Sequence, residues 1–216
     1  IYAGQSLQIG DLDPGAPELH PDSRYNLDNQ FVTDNYATSA DVLVVMVETQ
    51  EQQCTQYANL AQVDKFVWHM RNVPGVNSVM AATEISKLVA AGYNEGNLKW
   101  SNISRNQRLL GTTFNQMPTE LMNTRCSMLP VALFLDDHKA QTLQDVVDAV
   151  QAFSRDNPQD GIAFVLAAGN AGIEAATNQE IQAAQYRMMV LIYAVVCVLI
   201  LISFRSWRAV VCVVVP

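Results

Sequence analysis

No acidic residue occurs between Arg187 and Pro216, and no charged residue of either sign between Met188 and Phe204. The motifs of common hydrolytic and phosphate chemistry are also missing: the chain has no GxSxG and no GxxxxGK[ST], so Gly169-Asn170-Ala171-Gly172 reads as a turn. His20, His69 and His138 are far apart and lack the paired spacing of a metal site. Asp136-Asp137-His138 offers ligands for a cation, but it follows an apolar stretch and precedes an amphipathic one, where solvated turn and helix-start residues belong. No cofactor, metal or enzymatic reaction is expected. Positive charge is scarce as well. All 21 Asp and Glu lie in Ile1 to Tyr186 against ten of the 13 Lys and Arg, a balance that disfavours nucleic acid and anionic headgroups as partners.

The stretch RMMVLIYAVVCVLILISF is different in kind. Met188 to Phe204 is seventeen residues long, nearly all aliphatic, at the lower edge of what crosses about 30 Å of hydrocarbon as a helix. The expectation is a transmembrane helix at 188–204, a turn at 205–208 (Arg205, Ser206, Trp207, Arg208) and the start of a second span at 209–216. Two arginines and a tryptophan in so short a loop mark the cytoplasmic side, which places residues 1–186 outside. With no initiator Met or signal sequence in view, an earlier span just before Ile1 is the expected route across the membrane.

The external part is punctuated clearly. Residues 1–39 read as a Gly/Pro/Asp-rich lead-in followed by a short helix from Asp22 to about Asn35, begun by Pro21, Asp22 and Ser23. Residues 40–168 read as one domain. ADVLVVMVE (Ala40 to Glu48) has the unbroken β-branched centre of a strand buried on both faces. From Cys54 to Arg71, Tyr57, Leu60, Val63, Val67 and Met70 recur at helical spacing, and VNSVMAA follows as a strand. SMLPVALFLDD, a helix over Gln141 to Arg155 and GIAFVLAA repeat that order. Two βαβ units in succession point to an α+β class with the ferredoxin-like, split βαβ arrangement. Between the units lies a segment at 83–125, too long for a plain loop, which is either an insertion with its own structure or a mobile functional segment. Residues 169–187 read as a connecting helix that continues into the span and therefore transmits motion, as a flexible tether would not.

The segments YNLDNQFVTDNYATSADVLVVMVE, VPGVNSV and ALFLDDHKAQTLQDVVDAVQAF, and above all the hairpin ISFRSWRAVVCVVVP, resemble the first periplasmic loop and following spans of a resistance-nodulation-division (RND) permease. Within that superfamily the resemblance is to compact exporters of hydrophobic and lipid-like molecules. It implies a proton-driven, multi-pass exporter of the bacterial inner membrane with a periplasmic porter domain. Membrane lipids and hydrophobic or amphiphilic small molecules are the implied partners, with a homo-oligomer or accessory envelope subunits besides. The proton-coupling carboxylates would lie in a later span. A membrane-anchored envelope protein that binds a partner, or an RND relative assisting protein export, are the competing readings.

Candidate site residues are few. Phe114, Met117, Met122 and Met128 cluster around the end of the insertion, and flexible, polarizable side chains suit a surface for varied apolar ligands; packing of the insertion onto the sheet accounts for them equally. Trp100 in NLKWSN is a lid or a packing anchor. Asn102-Ile103-Ser104 matches a glycosylation acceptor, a pattern common by chance. In the split βαβ order the third strand lies antiparallel beside the first, which brings Cys126 near Cys54. The alternatives there are a disulfide in an oxidising compartment and two separate buried thiols. Cys197 and Cys212, in the apolar stretches, are expected to stay reduced.

Overall fold

The structure, a computed structural model, describes Gly10 and residues 15–16, 18–115 and 117–214. Most of the lead-in therefore lies outside the described residues. The chain divides into two compact units, one of Gly10–Ala175 and one that takes up the chain from Ala176.

The first unit opens with helix α1 (Arg24–Asn35), started by Ser23, whose Oγ accepts from the N–H of Asn26 at 3.3 Å. No residue of α1 is buried. Strand β1 (Val42–Thr49), helix α2 (Tyr57–Met70) and strand β2 (Val76–Ala81) form the first βαβ unit; β3 (Met128–Leu135), α5 (Ala140–Asp156) and β4 (Ile162–Ala168) form the second. The four strands make one antiparallel sheet in the order β2-β3-β1-β4. The first and third strands are thus central, with Val45 opposite Val131.

One face of the sheet carries the core. Leu43, Val45, Val47, Leu129, Val131, Leu133 and Leu135 are buried, together with Leu60, Val63, Phe66, Val67 and Met70 of α2 and Leu143, Val146, Val147, Val150 and Phe153 of α5. The three-and-four spacing of the helical residues aligns one apolar stripe on each helix. Each large side chain so buried contributes about 1.5–3 kcal/mol of transfer free energy. Phe66 ties the layers together: its ring meets Phe153 at 5.1 Å, edge-on, and Phe164 of β4 at 4.7 Å.

β1 departs from expectation. From Val42 to Val47 its residues alternate between half-buried and buried, so the unbroken run of apolar residues does not mean burial on both faces. The insertion also has a definite structure. Helix α3 (Ala82–Gly92) leaves β2 without a turn, a 3-10 turn covers Leu98–Trp100, α4 (Gln107–Phe114) follows, and a second 3-10 turn covers Thr119–Leu121. Leu110, Phe114 and Leu121 join the core, and Ser86 hydrogen-bonds Thr113 between α3 and α4 at 2.8 Å. The outer sides of α2 and α3 are joined by ion pairs: Glu84 accepts from Arg71 at 2.5 Å and from Lys87 at 2.9 Å, and Lys87 also meets Asp64.

Helix α6 covers Asn170–Phe204. Arg205, in the left-handed region at φ 49°, ends it, with its N–H on the carbonyl of Leu201 at 2.8 Å. Helix α7 (Trp207–Val214) begins two residues later. The break is therefore Arg205-Ser206, and Trp207 and Arg208, expected in the turn, belong to the first turn of α7.

Candidate functional site

The second face of the sheet is half-open and almost free of charge. In-register pairing sets Ala132 between Met80 and Val44, Met46 between Pro130 and Val165, and Phe134 beside Val42. Met80 and Val165 are 42% and 39% exposed. Met128 lies on the same face, next to Glu48, the one charged residue of these rows. Three methionines and a phenylalanine on a firm four-stranded support make an adaptable apolar surface. Of the residues singled out in the sequence only Met128 belongs to it. The others were hidden because VLVVMV is apolar at every position, which masks the alternation that separates one face from the other.

The remaining candidates do not converge. Phe114 is buried, and Met117 and Met122 pack partly buried against the core. Trp100 lines a separate cavity of about 190 Å³ with Ala90, Lys99 and Leu109. Cys54 and Cys126 are joined by a disulfide with a Cα–Cα distance of 5.1 Å, Cys54 in the turn before α2 and Cys126 just before β3. Cys197 is a free thiol, and the side chain of Cys212 lies outside the described residues.

A cleft of about 460 Å³ runs beside α1, lined by Asp34, Asp41, Asp136, Asp137 and Lys139 among others. Burial opposes ionisation of Asp137, but hydrogen bonds from Thr142 and from the backbone and side chain of Lys139 outweigh it and hold the carboxyl below its ordinary value. His138 differs from the solvated residue expected: it is buried, with Nδ1 3.2 Å from the Asp41 carboxylate. Among the described residues no group of three or more His, Cys, Asp or Glu is placed to hold a metal ion.

Helix α6 supplies the remaining element. At about 1.5 Å per residue its 35 residues extend roughly 52 Å, well beyond the hydrocarbon thickness of about 30 Å. It is the one helix among the described residues long and apolar enough to cross a membrane, with a mean hydropathy of 2.6 over 18 residues, none of them buried. Its first turns are of another character, since Ala171 and Ala175 join the domain core. The MMPL family model matches residues 23–216, sheet domain and apolar helices together. The chain belongs to the MMPL family. No curated protein matches it. MMPL proteins are RND-type membrane transporters and not enzymes, in keeping with a mixed α and β domain joined to an apolar helix.

Proposed function

We propose that this MMPL chain supplies the porter domain and adjoining spans of a proton-driven exporter of hydrophobic or amphiphilic, lipid-like molecules. The observation that carries the reading is the single family match running from α1 through the sheet and into α6 and α7. The strand order β2-β3-β1-β4 supports a ferredoxin-like porter fold. The half-open sheet face with Met46, Met80, Met128 and Phe134 is where apolar substrate passes. In this reading residues 1–186 are periplasmic, the segment around Arg205, Trp207 and Arg208 is cytoplasmic, and the protein is multi-pass in a bacterial inner membrane. Its partners are membrane lipids, its apolar substrates and further copies or envelope subunits.

One charge crossing 100 mV releases about 2.3 kcal/mol, enough to bias a conformational change in the sheet domain. The test is efflux of a lipophilic dye or labelled lipid from vesicles holding the intact protein, with and without a proton gradient. Gradient-dependent efflux is the expected result, and its absence removes the exporter reading.

A further inference from the structure

The Gly169-Asn170 pair that opens α6 is built into the start of the central strand. Asn170 brackets Asp41 from both sides: its Oδ1 accepts from the N–H of Val42 at 2.9 Å, and its Nδ2 donates to the carbonyl of Ala40 at 3.0 Å. Gly169, at φ +91°, lies so close that a Cβ there would sit 2.1 Å from the Val42 carbonyl oxygen. Glycine alone meets both demands. Between the two bracketed peptides the Asp41 carboxylate faces His138, just ahead of α5. A residue that merely starts a helix satisfies N–H groups of that helix. Asn170 instead directs both ends of its amide to a strand some 130 positions away.

We propose that Asn170 is a positioning residue that clamps the start of α6 to β1, so that displacement of α6 enters the sheet at its centre. The proposal rests on the exporter reading, in which α6 moves during transport. The covalent connection alone reaches the sheet through β4, an edge strand, and bends at Gly169 on the way. The clamp adds a second attachment at β1, which is hydrogen-bonded on both sides, to β3 and to β4. Moving β1 therefore carries both neighbours with it.

The test uses the membrane-embedded protein and two variants, Asn170→Ala and Asn170→Asp, with two measurements: backbone hydrogen exchange over Ala40 to Leu43, and the concentration dependence of lipophilic-dye transport. Asn170→Ala should speed exchange at Val42 by about tenfold, the upper end for one hydrogen bond. It should lower the maximal transport rate several-fold and leave the half-saturating dye concentration unchanged, because the amide of Asn170 is spent on backbone groups of Ala40 and Val42. Asn170→Asp keeps the acceptor for Val42 and should keep its protection, but sets a carboxylate oxygen against the Ala40 carbonyl, giving an intermediate rate. Unchanged exchange in the alanine variant overturns the clamp. So does released exchange with full transport. A full-rate aspartate variant also overturns it, since an acidic residue in the first turn of a helix is itself favourable and would then be all that the position requires. A wild type that transports nothing defeats the exporter reading and the delivery of motion with it, while the exchange data still report whether the amide bracket exists.

Discussion

The N–H of Cys54 donates to the carbonyl of Cys126 at 3.1 Å, so the two half-cystines are joined through the backbone as well as through sulfur. The contact is fixed by the pairing of β1 with β3, which draws residues 72 positions apart together. On the chain-entropy model, closing a loop of that length stabilises by about 4 kcal/mol. A Cys54→Ala/Cys126→Ala variant should accordingly unfold at clearly lower denaturant concentration. Thiol counting on the denatured, unreduced wild type should find these two cysteines blocked; two additional free thiols there would show that the bridge does not form.

The ion network between α2 and α3 sets a pH dependence at both ends of the scale. Burial works against the charged form of Glu84, yet hydrogen bonds from Lys87 and Arg71 prevail and lower its pKa. Its contribution is complete above the unfolded-state value and disappears as pH falls through the folded one. Lys87 is likewise disfavoured by burial, but Asp64 and Glu84 raise its pKa. That contribution is complete below the unfolded-state value and disappears as pH rises through the folded one. Glu84→Gln should cost up to about 1 kcal/mol at neutral pH and flatten the acid limb of a stability–pH curve measured by chemical unfolding. An unchanged acid limb would discharge Glu84 from this role.

The two faces of the sheet should respond to mutation in opposite ways. Leu133→Ala in the core face should lose about 2–5 kcal/mol of stability. Met80→Asp and Val165→Asp, on the half-open face, should cost about 1 kcal/mol, the span of strand preference, less than the core loss, and yet slow transport of an apolar dye. Normal transport in both aspartate variants would mean that substrate does not use this face.

Orientation can be read directly. A cysteine introduced at Asn97, which is exposed, should react with a membrane-impermeant thiol reagent in intact cells. One at Ser206 should react only after permeabilisation. The reverse pattern would invert the topology.

Stiffness of α6 between domain and membrane should govern the transport rate. Ala183 and Ala184 are exposed on α6, and replacing both with glycine removes about 2 kcal/mol of helix propensity without disturbing a core side chain. Slower transport with normal insertion is the expected outcome. Unchanged transport would show that the helix need not be rigid there.

Local patterns read correctly where the partner was near or the period was clean. The stripe Leu143, Val146, Val147, Val150 and Phe153 defines α5, and the turn Val73-Pro74-Gly75 separates α2 from β2, with Gly75 at φ +87°. Other features depend on distant partners. His138 is buried because Asp41, 97 positions earlier, receives it. Helix α4 has a weak signature in the sequence although Asn106 caps it, accepting from the N–H of Arg108 at 3.0 Å, because Gly111 and the Thr112-Thr113 pair are poor helix formers. Nothing in RYNLDNQFVTDN shows that Tyr25, Leu27 and Phe31 stay exposed, since burial is decided by what the rest of the chain brings to that surface.

The disulfide makes a covalent ring of the chain from Cys54 to Cys126, with α2, β2, α3 and α4 inside it. A protease cut within the ring should release no fragment until reductant is added. Under tension applied at the ends of the chain, the load passes from β1 to β3 across the sulfur bond and the ring carries none of it. Single-molecule stretching should show the difference as hidden length: for a separation of 72 residues, reduction should add roughly 250 Å to the contour at full extension.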